Sequence, residues 1–266
     1  MRGVICGRDY YDKNGILIIA RGVEISPQKL RQLEREYETK NRILSLRNEK
    51  SAGNQFRKLK RSDVHGNVQT LNTAGDLLVR VMFEARRNPW REHISALNGY
   101  IDWLYTHSVD VALISLMIAV ELGHPDSILM KIGLGAVLHD IGKLLIPKGI
   151  LLKNGELSRE EETILRQHCE LGWRYVSDCS LSSVCRDIIL QHHERLDGSG
   201  YPQQLHRERI SRYAKIVMVA DSFAGLTTGV GCKDPEAAFS ALWEQREAYS
   251  KECLEALEAI LRRTVK

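Results

Sequence analysis

From Val68 onward the apolar positions recur at helical spacing with few interruptions. Val68, Leu71, Leu77, Leu78, Val81 and Met82 keep a helical period, Pro89 interrupts it, and Ile94, Leu97, Ile101 and Leu104 resume it. The same pattern predicts helices over 109–122, 128–138, 159–176, 184–193, 214–226 and 235–263. Ser158-Arg159-Glu160-Glu161 has the form of a capping box, in which serine and glutamate satisfy each other's backbone N–H groups, and it marks one helix start. No internal repeat and no low-complexity tract interrupts the run.

The first fifty residues follow a different pattern. Tyr10-Tyr11 leads through Asn14-Gly15 into Ile16-Leu17-Ile18-Ile19, which predicts a strand, a tight turn and a second strand. Ser26-Pro27 then sets a cap residue ahead of a proline suited to the first helical position, and Leu30, Leu33 and Tyr37 give a short helix its apolar side. A small β+α module over 1–48 is expected. From 49 to 63 the apolar content drops and Lys50, Arg57, Lys58, Lys60 and Arg61 cluster with only Phe56 among them, the composition of a solvated basic linker. The fold class expected is mainly α, an all-helical domain over 64–266 behind that module.

Composition narrows the partners. In 266 residues, 38 Lys and Arg oppose 34 Asp and Glu, a net charge of +4 that is too mild to make duplex nucleic acid the expected partner. The N-terminal Met1-Arg2-Gly3-Val4-Ile5 lacks a signal-peptide core, and the strongly apolar run from Val111 to Val120 falls short of a bilayer, so no membrane span and a cytoplasmic location are expected. The 6 cysteines form no CxxC pair and read as reduced structural thiols.

The candidate chemistry lies in histidines and two aspartates. Of 9 histidines, His107, His139, His168, His192 and His193 fall at helix ends or on inward faces. A single buried histidine is ordinarily a hydrogen-bonded core residue; five of them beside acids on apolar helices are harder to dismiss. Asp140 and Asp221 each follow a strongly apolar helical run, where an ionised carboxylate costs several kcal/mol unless a cation meets it. No Lys or Arg lies within one turn N-terminal to Asp221, which favours a multivalent metal over an arginine partner. Neighbours on a helix point about 100° apart, so the doublets His139-Asp140 and His192-His193 suit two adjacent metals bridged by a carboxylate. Imidazole and carboxylate ligands without thiolates favour Fe, Mn or Zn. A two-metal centre acidifies a bridging water and steadies the attacking and leaving oxygens of a phosphodiester, so phosphate-ester hydrolysis is the natural inference, with metal-dependent oxygenation left open.

These residues also stand in a known arrangement. His139-Asp140-Ile141-Gly142-Lys143 resembles the HD signature of metal phosphohydrolases, and the contiguous block from His192-His193-Glu194-Arg195 to Gly200-Tyr201-Pro202 resembles the second signature of the HD-GYP branch. His107, His168 and Asp221 match the remaining family ligands, and the similarity covers roughly 64–242. The resemblance implies an all-helical HD-GYP domain that hydrolyses cyclic di-GMP to linear pGpG, in some members onward to GMP, through a hydroxide activated by two divalent ions, Fe or Mn. It implies that His107, His139, Asp140 and Asp221 hold one ion and His168, His192 and His193 the other, with Asp140 bridging. Lys143 would neutralise phosphate charge or protonate the leaving oxygen, and Gly200, Tyr201 and Pro202 would help bind substrate. The N-terminal module resembles one that some members carry, for which dimer formation or a signalling partner is a natural role.

Two departures from the family pattern matter. Three-metal members carry a glutamate four residues before the first histidine; here that position is Trp103, and Asp102 is rotated away by about 100°, so two metals are expected. The Arg-Pro-Tyr segment that usually follows the late aspartate is missing, and Lys233 is the candidate replacement for its phosphate contact. Three other readings stay open: a non-catalytic signalling module, a phosphodiesterase for another cyclic dinucleotide such as cyclic GMP-AMP, and a simple HD nucleotidase or alarmone hydrolase needing only His107, His139, Asp140 and Asp221.

Overall fold

The computed structural model describes residues 4–5, 10–11, 17–19, 24–26, 65–85, 90–228 and 232–263. Four short strands come first: β1 (Val4–Ile5), β2 (Tyr10–Tyr11), β3 (Leu17–Ile19) and β4 (Glu24–Ile25). The helices are α1 (His65–Ala85), α2 (Arg91–Tyr100), α3 (Asp102–Glu121), α4 (Asp126–Leu138), α5 (Lys148–Leu151), α6 (Arg159–Arg166), α7 (His168–Val176), α8 (Ser183–Gln191), α9 (Arg212–Thr227), α10 (Pro235–Glu244) and α11 (Lys251–Arg262). Short 3-10 turns at Ile141–Leu145, Ser177–Cys179, Arg207–Arg209 and Arg246–Ala248 join some of them.

The chain divides into two compact units, Met1–Asn54 and Gln55–Lys266. In the first, β2 pairs antiparallel with β3, Tyr10 opposite Ile19 and Tyr11 opposite Leu17, on either side of the Asn14-Gly15 positions. β1 pairs antiparallel with β4. The helix expected after Ser26-Pro27 and the basic linker lie outside the described residues.

The second unit is built around α3. A helix that is apolar on every side must be surrounded, and α3 touches α1, α2, α4, α9 and α11. Val111, Ala112, Leu113, Leu116, Ile118 and Ala119 are wholly buried there, and each large side chain among them contributes roughly 1.5–3 kcal/mol. The apolar stretch is longer than Val111–Val120, because Trp103, Leu104, Tyr105 and Val109 extend it within one helix. By length and composition Trp103–Glu121, with a mean hydropathy of 1.5, could cross a bilayer; 78% of it is buried against the other helices, as in a central core helix.

Three predicted helices are divided. The run through Ile94 and Leu104 breaks at Ile101, which is extended (φ −145°, ψ 126°). Apolar spacing reports a buried face and is blind to one extended residue on it. The 159–176 helix is two, α6 and α7, joined at Gln167, with the Ser158–Glu161 capping box formed. The 235–263 helix splits around Tyr249, and the cause is tertiary. Leu196 N–H donates to the carbonyl of Ala248 at 2.9 Å, and the Tyr249 hydroxyl meets Ser222 Oγ at 3.1 Å.

Candidate metal centre

α4 ends at Leu138, and the chain leaves it through His139 and Asp140 into the 3-10 turn Ile141–Leu145. That turn lies against α7 because two glycines let the backbones meet. A Cβ on Gly142 would collide with the carbonyl oxygen of His168, and one on Gly172 would come within 2.9 Å of Gly142 N. The contact brings Asp140 beside His168, the first residue of α7. α8 ends at Gln191 and presents His192 and His193 just beyond its last turn. α3 contributes His107 and α9 contributes Asp221.

All seven expected ligands converge. They form two groups, Asp140 with His168, His192 and His193, and His107 with His139 and Asp221, each with its donor atoms within 4.8 Å of one another. Asp140 stands between the groups. Its Oδ1 lies 3.3 Å from His168 Nε2 and 3.8 Å from His192 Nε2. Its Oδ2 lies 3.3 Å from His139 Nε2 and 3.9 Å from His107 Nε2. Asp221 links the groups on another side, with Oδ1 at 2.9 Å from His107 Nε2 and Oδ2 at 3.8 Å from His193 Nδ1. His192 and His193 join the same group because both lie past the end of α8, where the rotation of about 100° per helical residue no longer dictates direction.

Backbone carbonyls orient the rings. His139 Nδ1 faces Ala136 O at 2.7 Å, His168 Nδ1 faces Leu165 O at 2.7 Å, and His192 Nδ1 faces Ile188 O and Ile189 O at 3.1 Å. A carbonyl only accepts, so the proton sits on each Nδ1 and the Nε2 lone pair points into the cluster, the tautomer a metal ligand needs. Two fully buried atoms there, His139 Nε2 and Asp140 Oδ1, make no hydrogen bond. Orphaned buried polar atoms are costly, and a lone pair beside a carboxylate oxygen is what a divalent cation would satisfy. The residues present therefore fit metal ions.

Except at His139, the charge states of the metal-free cluster agree with ligation. Burial pushes the Asp140 carboxyl up, but His139 and Lys143 outweigh it and hold the pKa well below the usual carboxylate range. Burial is likewise outweighed at Asp221, chiefly by His107. Burial lowers His168 to about 3 and lowers His192 and His193 too, so these imidazoles are neutral. At His139 burial is overcome by the neighbouring aspartates and the pKa rises. Lys143 also rises, because Asp140 outweighs the effect of burial; its Nζ donates to Asp140 Oδ2 at 2.6 Å.

The Gly-Tyr-Pro loop braces the centre. Tyr201 stacks on the His193 ring with centroids 4.7 Å apart, and Arg166 lies over the tyrosine ring at 5.0 Å. Gly200 is packed so closely that a Cβ would meet the backbone of Glu194 and Arg195. Pro202 is half-buried beside it. Lys233 is exposed, its N–H bonded to Leu226 O at 2.8 Å. Among the described residues no hydrogen bond or ion pair joins its side chain to the cluster.

Glu194, quoted only as part of the second signature block, and Arg166 were not among the expected site residues. Glu194 is wholly buried, and its two oxygens accept from Gln203 N at 2.7 Å and Leu205 N at 2.9 Å. Its place directly after the histidine doublet was the available signal.

Known proteins share this framework. Residues 92–252 match the HD domain family. The chain is 39% identical over 128 residues to the cyclic di-GMP phosphodiesterase PA4108 of Pseudomonas aeruginosa, across 48% of this chain and 31% of that protein. It is 37% identical over 131 residues to the 3'3'-cGAMP-specific phosphodiesterase 2 of Vibrio cholerae, across 48% of this chain and 25% of that protein. The chain thus spans a third or less of the length of these two relatives. Among solved structures, Bd1817, a HDG"Y"P protein from Bdellovibrio bacteriovorus, superimposes with a TM-score of 0.58 at 22% identity, covering 98% of this chain and 96% of that one. At that identity the likeness is one of fold.

Proposed function

This chain belongs to the HD domain family, and from that premise we propose that it is a metal-dependent phosphodiesterase that hydrolyses cyclic di-GMP to linear pGpG in the cytoplasm. The observation that carries the reading is Asp140, whose two oxygens face separate histidine groups. The second group supports an HD-GYP enzyme over a simple HD nucleotidase, which would leave His168, His192 and His193 without a role. Two divalent ions, Fe or Mn, held by His107, His139, Asp140 and Asp221 and by Asp140, His168, His192 and His193, would acidify water and offset phosphate charge.

The side chains supply the rest. His107, Lys143, His193 and Asp221 keep between 13% and 19% of their side-chain surface exposed, so they form the mouth through which a phosphodiester enters. Lys143, with its raised pKa, remains an ammonium and serves as a fixed positive charge on the phosphate, which favours charge neutralisation over proton donation. Tyr201 and the backbone carbonyls hold the imidazoles in position, so little reorganisation is needed when substrate binds. Hydrolysis adds water across one P–O3' bond, and the 3'-oxygen leaves with a proton.

The named activity of the Vibrio cholerae relative favours cyclic GMP-AMP as a second candidate substrate. The test supplies Mn or Fe under reducing conditions and measures turnover of cyclic di-GMP, cyclic GMP-AMP and pGpG. Two ions per chain are expected. His139→Ala should lower turnover by more than the roughly 10–100-fold that loss of an outer-shell partner costs. Metal-replete wild type that turns over none of the three overturns the proposal.

A further inference from the structure

Trp103 occupies an unusual place for its size. It is 43% exposed, whereas Trp90 is 7% exposed and Trp173 and Trp243 are half-buried. It lies on the otherwise buried α3 one turn before His107, so both project from the same side of the helix. The Lys143 ammonium is 5.8 Å from the indole centroid and bonds Asp140 Oδ2. That separation is at the outer limit of a cation–π contact, about 6 Å, so holding Lys143 does not by itself account for an indole left in water. A flat apolar face beside the cation of a phosphate site is suited to a nucleobase, one ribose away from a phosphate on Lys143.

We propose that the indole of Trp103 is the platform on which a purine base of the substrate stacks, making it a residue that selects nucleotides over other phosphate esters. This rests on the reading of the centre as a cyclic dinucleotide phosphodiesterase and adds how the base is recognised. Base–aromatic stacking tolerates any purine, since each offers a π-face. Trp103 therefore favours nucleotides without choosing between cyclic di-GMP and cyclic GMP-AMP.

The experiment compares GMP with ribose 5-phosphate, which lacks only the base. Binding of each to the metal-loaded full chain is measured by calorimetry for wild type, W103F and W103A, with cyclic di-GMP kinetics on the same three proteins. The wild type is expected to prefer GMP. W103A should weaken GMP roughly tenfold to a hundredfold and leave ribose 5-phosphate unchanged, while W103F restores most of the loss. KM for cyclic di-GMP should rise by a similar factor with kcat little changed. Equal weakening of both ligands would mean that the ring acts only through Lys143, and that outcome overturns the proposal. So does a wild type without preference for GMP, or W103A that binds GMP as the wild type does. If the wild type prefers GMP but turns over no cyclic dinucleotide, the enzymatic reading fails while the stacking result stands.

Discussion

Glu194 shows how much one side chain can hold in place. Buried behind the histidine doublet, it ties down the backbone of Gln203 and Leu205 and so closes the loop that carries Tyr201 against His193. Removing its carboxylate strands the buried Leu205 N–H, which costs about 1–3 kcal/mol, whereas the N–H of the exposed Gln203 can turn to water. Glu194→Ala is therefore expected to lose roughly 1–3 kcal/mol in denaturant unfolding. Glu194→Gln, which keeps one acceptor, should lose about half as much. A loss confined to turnover, with stability unchanged, would show that Glu194 acts on substrate rather than on the loop.

Among the secondary-structure elements, the decisive contact is between the 3-10 turn Ile141–Leu145 and α7, where Gly142 meets the His168 backbone. No side chain fits between them, so Gly142→Ala must push Asp140 and His168 apart. The expected outcome is metal binding weakened roughly 10–100-fold, the range set by loss of a supporting partner, read by titration of metal-stripped protein. Gly99→Ala makes the control. It lies one residue from the end of α2 with nothing within 4 Å of the added carbon, so it should leave metal binding alone and change stability by less than about 0.5 kcal/mol. His139, Asp140, His192 and His193 follow helix C-termini, the close glycine pair sets His168 beside Asp140, and positions within α3 and α9 supply His107 and Asp221.

For the molecule as a whole, the buried cluster makes the metal-stripped protein sensitive to acid. His168, His192 and His193 have lowered pKa values in the folded state, so below about 6.5 the unfolded chain binds protons that the folded chain does not. Stability should fall as pH drops from about 6.5 toward 3, by up to about 1.4 kcal/mol per pH unit for each such group. Asp140 and Asp221, held below their usual range, add to the loss below about pH 3.8. His139, with a raised pKa, acts in the opposite sense just above 6.5 and softens the onset. Denaturant midpoints from pH 7.5 to 4 check this. A flat profile would mean that the imidazoles are solvated rather than enclosed.

Much of this protein was legible in its sequence. Helical spacing from Val68 onward, the Ser158 capping box and the signature blocks around His139 and His192 depend on neighbours a few residues apart, and such local rules survive in any environment that supports the fold. The breaks at Ile101, Gln167 and Tyr249 were not legible, nor was the burial of Glu194. Tertiary structure decided the break at Tyr249 and the burial of Glu194. Tyr249 leaves its helix because Leu196 and Ser222 bind that segment, and Glu194 is buried because Gln203 and Leu205 return to it. The family resemblance already divided the seven candidate ligands into two groups sharing Asp140; bringing those side chains within reach of one another depends on where α3, α4, α7, α8 and α9 meet, a packing solution spread over 114 residues between His107 and Asp221.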